Sequence, residues 1–278
     1  MPNLSDRLRF FFRSFADFLF PPVCLGCGSE IERGLVCDSC KALLRASEMG
    51  VCPVCRRPRL PDAKTCGRCE PRLCLGRIRA LGPYHKPYVG LVHALKYQEK
   101  TKLALILGPP LAALVEQDTE MREADALCPI PLHPARLRER GYNQSALLAL
   151  VVSGVAGIPS EDLLVRVKNT ATQTAKADDK GRAKNLEGAF ALASGAQARG
   201  RRIVLVDDVM TSGATLHEAG LVLKQAGATE ILGLVVAAAG PARQGPAKPG
   251  TASRAARRMP AGSPASAART GAGRSASG

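Results

Sequence analysis

Apolar positions along this chain change their pattern near residue 77. From Arg77 to Gly240, apolar helical stretches alternate with short β-branched runs. Tyr88 to Tyr97 and Leu103 to Glu116 read as helices, Ala126 to Ile130 as a strand, and about Asn143 to Val155 as a longer helix. Strands are predicted at Leu163 to Val167 and Ala189 to Leu192, with a polar stretch between them. A β-α-β unit closes the segment: strand Arg202 to Val206, a loop, helix Thr215 to Gln225, a stop at Gly227 and strand Glu230 to Ala237. The alternation predicts an α/β fold with a parallel sheet.

The flanking segments follow different rules. In residues 1–20, Phe11, Phe15, Phe18 and Leu19 recur at helical spacing, which predicts an amphipathic helix packed against the body of the protein. Arg13 and Asp17 interrupt any run able to span a bilayer, so no integral membrane segment is expected. The block Cys24 to Cys74 has too few large apolar residues for an ordinary core, and metal would have to replace it. Residues 241–278 are Ala, Gly, Ser, Pro and Arg without periodicity, and are expected to be disordered. The expected organisation is therefore a helix over 1–20, a cysteine-rich unit over 21–75, an α/β domain over 76–240 and a basic tail.

Charge changes this picture little. The net charge of +15 and pI near 9.7 suggest an anionic partner, but the tail holds seven of the basic residues and no acid; without those seven, +15 becomes +8.

Cysteine spacing is more informative. Eight of the ten cysteines form four CxxC pairs: Cys24 and Cys27, Cys37 and Cys40, Cys52 and Cys55, Cys66 and Cys69. Two facing knuckles make one tetrahedral thiolate site, and the arrangement occurs twice, so two structural zinc ions are expected. Four thiolates leave no open coordination position, which excludes a catalytic role for the metal. The pairs can join sequentially or interleave; disulfides or a redox pair are the alternatives. No signal peptide precedes the block, which favours a reducing cytoplasm. Cys74 and Cys128 are left over for buried apolar roles. Arg56, Arg57, Arg59, Lys64, Arg68 and Arg72 make the second ribbon basic, as a nucleic-acid contact or an ordinary solvated face would be.

The run Arg201 to Gly220 carries the candidate chemistry. An apolar strand delivers Asp207 and Asp208, and a small-residue loop leads into a helix capped by Thr215 or a neighbour. This order directs successive backbone N–H groups and a helix N-terminus at one anion, and phosphate fits. Carboxylates repel phosphate, so the acids must meet another part of the same ligand, for which ribose hydroxyls are natural partners.

VLVDDVMTSGAT resembles the ligand signature of the type I phosphoribosyltransferases. The resemblance implies 5-phosphoribosyl 1-pyrophosphate as ligand, with Asp207 and Asp208 on the ribose 2- and 3-hydroxyls. Thr211, Ser212, Gly213, Ala214 and Thr215 would cradle the 5-phosphate, with Val209 and Met210 in the same ligand segment. Two ribbons followed by HALKY, PLHPARLRERGYNQ and KNLEGAF narrow the resemblance to the ComF family, from Phe10 to about Ala239. By that resemblance His133, Arg136 and Arg140 approach the pyrophosphate end of the donor, where cations would stabilise the leaving group. Asp207, Asp208, Arg136 and Arg140 are the expected catalytic residues. Lys180 and Arg182 either fold over the pyrophosphate as a lid or belong to a solvated loop.

The implied activity is Mg²⁺-dependent transfer of phosphoribosyl to a nitrogenous acceptor. A nucleotide-sensing or single-stranded-DNA-handling adaptor and a base-salvage transferase are the alternatives. The family resemblance implies competence, with single-stranded DNA and proteins of the competence machinery as partners.

Overall fold

The computed structural model describes residues 21–45, 49–51, 58–59, 74–169 and 186–239, the two short pieces by their backbone alone. The Phe-rich segment, Cys52, Cys55, Cys66, Cys69, Lys180, Arg182 and the tail lie outside these residues.

In chain order the elements are α1 (Asp38–Arg45), β1 (Met49–Val51), β2 (Pro58–Arg59), β3 (Ile78–Pro83), α2 (Tyr88–Tyr97), α3 (Leu103–Glu116) and α4 (Thr119–Arg122). There follow β4 (Ala126–Pro129), α5 (Pro134–Arg140), α6 (Gln144–Ala156), β5 (Leu164–Arg166), β6 (Phe190–Leu192), β7 (Arg202–Met210), α7 (Ala214–Gln225) and β8 (Glu230–Ala238). The main sheet runs β2-β1-β3-β8-β7-β4. Its pairs β3–β8, β8–β7 and β7–β4 are parallel, while β1 joins β3 and β2 antiparallel. Strand polypeptide from the cysteine block thus covers one edge of the α/β sheet.

Alternation along the central strands divides the core into two layers. Val204, Val206, Leu232, Leu234 and Val236 pack with α2, α3 and α6, whereas Ile203, Leu205, Ile231 and Val235 pack with α7 and the β5–β6 pair. The first cysteine knuckles join the former layer, since Cys24, Val36, Cys40 and Leu44 are buried with Leu81, Tyr88 and Leu91.

The structure departs from the sequence expectations at several places. β3 was not predicted: Arg79 interrupts its apolar run, yet pairing with β8 makes Ile78 to Leu81 fully buried strand. α5 fills the stretch after β4, with Pro134 at its first turn. The strands predicted at 163–167 and 189–192 form a separate antiparallel pair, with Leu164 opposite Leu192. Finally, β7 continues beyond Val206 to Met210 because β8 is equally long and matches it through Asp207–Val235 and Val209–Ala237.

Candidate functional site

The extension of β7 fixes both acids within the sheet. Asp207 and Asp208 are buried, at 8% and 2% exposure, and each meets a different part of the molecule. Asp207 Oδ1 accepts from the Ser145 hydroxyl at 2.9 Å and from the Asp208 N–H at 2.8 Å. Ser145 reaches it from the first turn of α6, where Asn143 is the cap: its Oδ1 accepts from the Ser145 N–H, and its Nδ2 donates to the Ile130 carbonyl beyond β4. The sequence Asn143-Gln144-Ser145 therefore starts a helix and places a hydroxyl on the acid in the same turn.

Asp208 is held from the other side. Lys96, in the last turn of α2, places its ammonium 2.9 Å from Asp208 Oδ1. Asp208 Oδ2 is buried without a hydrogen-bond partner among the described residues. Burial, followed by the charge of Asp208, pushes Asp207 up to about 7. Burial acts to lower Lys96, but Asp208 and then Asp207 outweigh it and raise its pKa. Arg166 of β5 also feels this centre: burial lowers its pKa, the charge of Asp207 acts against that, and Arg136 reinforces it.

Past Met210 the chain turns through Thr211, Ser212 and Gly213 into α7. Gly213 is the cap, at φ 79°, a left-handed conformation that a side chain would strain. Gly213 itself offers no capping side chain at the start of this twelve-residue helix. The Ser212 hydroxyl accepts from the Ala214 N–H at 3.4 Å.

A cleft of about 180 Å³ opens beside the Lys96–Asp208 pair, lined by Lys96, Tyr97, Glu99, Arg136, Glu139 and Arg140. The structure thus brings Arg136 and Arg140 to the cation that touches the acid pair. Arg136 pairs with Glu139 at 2.8 Å, and the Arg140 guanidinium lies 5.4 Å from the centre of the Tyr97 ring. His133 is the cap of α5, its Nδ1 accepting from the Ala135 N–H at 3.2 Å. Lys96, Ser145 and Arg166 were missed as site residues. For Lys96 a signal existed, as a lone cation closing the apolar helix YVGLVHALKY.

The other centre is the first cysteine quartet. The sulfurs of Cys24, Cys27, Cys37 and Cys40 lie within 4.8 Å of one another, which places the first CxxC pair with the second. Cys27 and Cys37 Sγ are 3.8 Å apart, the edge of about 3.8 Å expected for a tetrahedron with Zn–S near 2.3 Å. Backbone N–H groups of Cys37 and Cys40 point at Cys24 and Cys37 sulfurs, at 3.3 and 3.4 Å. The Ser29 hydroxyl, with the Ser29 backbone, draws Cys27 down to about 6. Four such thiols fit a structural zinc ion.

Comparison with known proteins matches two parts of the chain. A double zinc ribbon domain matches residues 15–70 and a phosphoribosyl transferase domain matches residues 144–250. Competence protein F of Haemophilus influenzae is 31% identical over 70% of this chain and 93% of its own. DNA utilization protein YhgH of Escherichia coli is 30% identical over 76% of this chain and 94% of its own. For competence protein ComFC of Bacillus subtilis the identity is 26%, over 74% and 90%. With near-complete coverage of such relatives and a double ribbon ahead of a phosphoribosyl transferase domain, this chain belongs to the ComF family.

Proposed function

We propose that the protein binds 5-phosphoribosyl 1-pyrophosphate as its Mg²⁺ complex and transfers phosphoribosyl to a nitrogenous acceptor. The observation that carries this reading is the buried acid pair, with Asp208 Oδ2 unpartnered among the described residues, ahead of a glycine-capped helix. Ribose hydroxyls would donate to Asp207 and Asp208, and the 5-phosphate would meet the backbone of Thr211 to Thr215. Pyrophosphate would lie towards Arg136 and Arg140. Mg²⁺ would arrive on donor oxygens and supply charge neutralisation, which fits acids already engaged by Ser145 and Lys96. In the transfer, the C1–O bond to pyrophosphate breaks, a bond from the acceptor nitrogen to C1 forms, and the acceptor loses its proton. The residues contribute position and preorganised charge rather than a nucleophile.

The relatives' names, competence protein and DNA utilization protein, support DNA use as the setting, and single-stranded DNA and competence proteins are the partners we propose. Thiolate ligation suits a reducing compartment such as the cytoplasm. We further propose the domain limits 1–20, 21–75, 76–240 and 241–278.

Calorimetric titration of the donor with Mg²⁺ tests the reading. Replacing both Asp207 and Asp208 by Asn is expected to weaken binding by about tenfold or more, since charge-assisted hydrogen bonds contribute about 1.5–3 kcal/mol each. Unchanged affinity in a folded, zinc-loaded double variant rejects it. Pyrophosphate release across a panel of bases and amines then separates a transferase from a binding adaptor.

A further inference from the structure

Lys96 stands where two parts of the site meet. Its ammonium contacts Asp208 Oδ1 at 2.9 Å, while its side chain, 23% exposed, lines the cleft shared with Arg136 and Arg140. An ammonium carries three N–H donors, and the contact with Asp208 Oδ1 engages one of them. The residues on either side of Lys96 are anchored to the segment that follows β4. The Leu95 carbonyl accepts from the Tyr142 hydroxyl, and the Tyr97 ring lies beside the Arg140 guanidinium. Leu95 itself is fully buried. Lys96 is therefore placed by a built framework rather than by a wandering surface chain.

Charge in the cleft explains what such a cation is for. Arg136 is already matched by Glu139, and Glu99 adds a second carboxylate to the lining. Lys96 is the cation of that lining that also touches the acid pair. An anion entering beside Arg136 and Arg140 would meet Lys96 before it met the repelling carboxylates of Asp207 and Asp208.

We propose that Lys96 is a bifunctional residue of the donor site: it positions Asp208 for the ribose hydroxyls and donates, in the same bound state, to a pyrophosphate oxygen in the cleft. This rests on the phosphoribosyl reading above. The direct contact with the acid makes Lys96 the link between recognition of the sugar and recognition of the leaving group. Asp207, raised by burial and by Asp208, shows how closely balanced the acid pair is without further cations.

The test separates holding Asp208 from binding the anion. Inorganic pyrophosphate with Mg²⁺ is titrated into wild type, Lys96→Gln, Asp208→Asn and Lys96→Gln/Asp208→Asn, with zinc content and melting measured for each. In the Asp208→Asn background the ion pair is gone, and Asp207 keeps its hydrogen bonds from Ser145 and the backbone when Lys96 is removed. Loss of the lysine there is expected to weaken pyrophosphate binding by about tenfold to a hundredfold, the range of one charge-assisted hydrogen bond. Lys96→Arg is expected to recover part of it. If the double variant binds pyrophosphate as Asp208→Asn does, Lys96 serves only to balance Asp208 and the proposal falls alone. If wild type binds neither pyrophosphate nor the donor, the phosphoribosyl reading falls and takes this proposal with it.

Discussion

The first cysteine knuckles and the parallel strands belong to one packed layer, yet they are held by opposite means. In residues 21–45 only Cys24, Val36, Cys40 and Leu44, with the backbone at Gly26, reach the interior. In β7 and β8, Ile203 to Val206 and Ile231 to Ala237 are buried almost without interruption. The strands bury enough apolar surface to form without a ligand. The knuckles replace that surface with four convergent sulfurs. The seam between them is backbone against backbone: a Cβ on Gly90 of α2 would lie 2.4 Å from the Leu25 carbonyl oxygen. The same helix that meets the knuckles at Gly90 carries Lys96, in its last turn, against Asp208.

The largest perturbation should come from metal. Structural zinc contributes on the order of 10 kcal/mol in zinc-finger peptides. Chelation is therefore expected to remove amide protection from residues 21–45 while β7 and β8 keep theirs, read by hydrogen exchange. Elemental analysis should find close to two zinc ions per chain, counting the second quartet. Equal protection before and after zinc removal would erase the distinction between the two regions.

The converse substitution lies in the sheet. Leu232→Ala, at a fully buried position of β8, is expected to cost about 2–5 kcal/mol. Urea unfolding should show that loss with zinc content unchanged.

A smaller effect concerns pH. The folded pKa of Asp207 is raised to about 7 from an ordinary value near 3.8. Its protonated form therefore contributes stability that is full below about 3.8 and is lost as pH rises through about 7. Asp207→Asn cannot ionise, so its melting temperature relative to wild type should rise between about pH 4 and about pH 7 and level off above that. A constant difference over that interval would show that Asp207 stays ionised in the fold.

Legibility in the sequence followed locality. The β7-α7-β8 unit was readable because strand, acids, small-residue loop and helix are contiguous, and each element is specified by its own residues. β3 was not, because Arg79 and Gly82 weaken its pattern and its partner β8 lies about 150 residues further along the chain. The β5–β6 pair was readable as two strands, but period-two alternation says nothing of the partner. At the site, Asp207 and Asp208 were found together with their loop, whereas Lys96, Ser145 and Arg166 converge on them from three distant elements. His133 was singled out for its chemistry, and its observed contact is a helix cap.

The short antiparallel strands β1 and β2 have a consequence for handling the protein. β1 saturates the outer side of β3 through Met49–Ala80, Gly50–Arg79 and Val51–Ile78, and β2 covers β1 in turn. A preparation trimmed to begin at residue 76 would lose both strands and bare the hydrogen-bonding groups of β3. A bare parallel edge is a template for pairing between molecules. The cysteine block thus acts as a built-in guard against aggregation, and a soluble minimal domain would need that edge blunted by charge or proline before its chemistry could be studied alone.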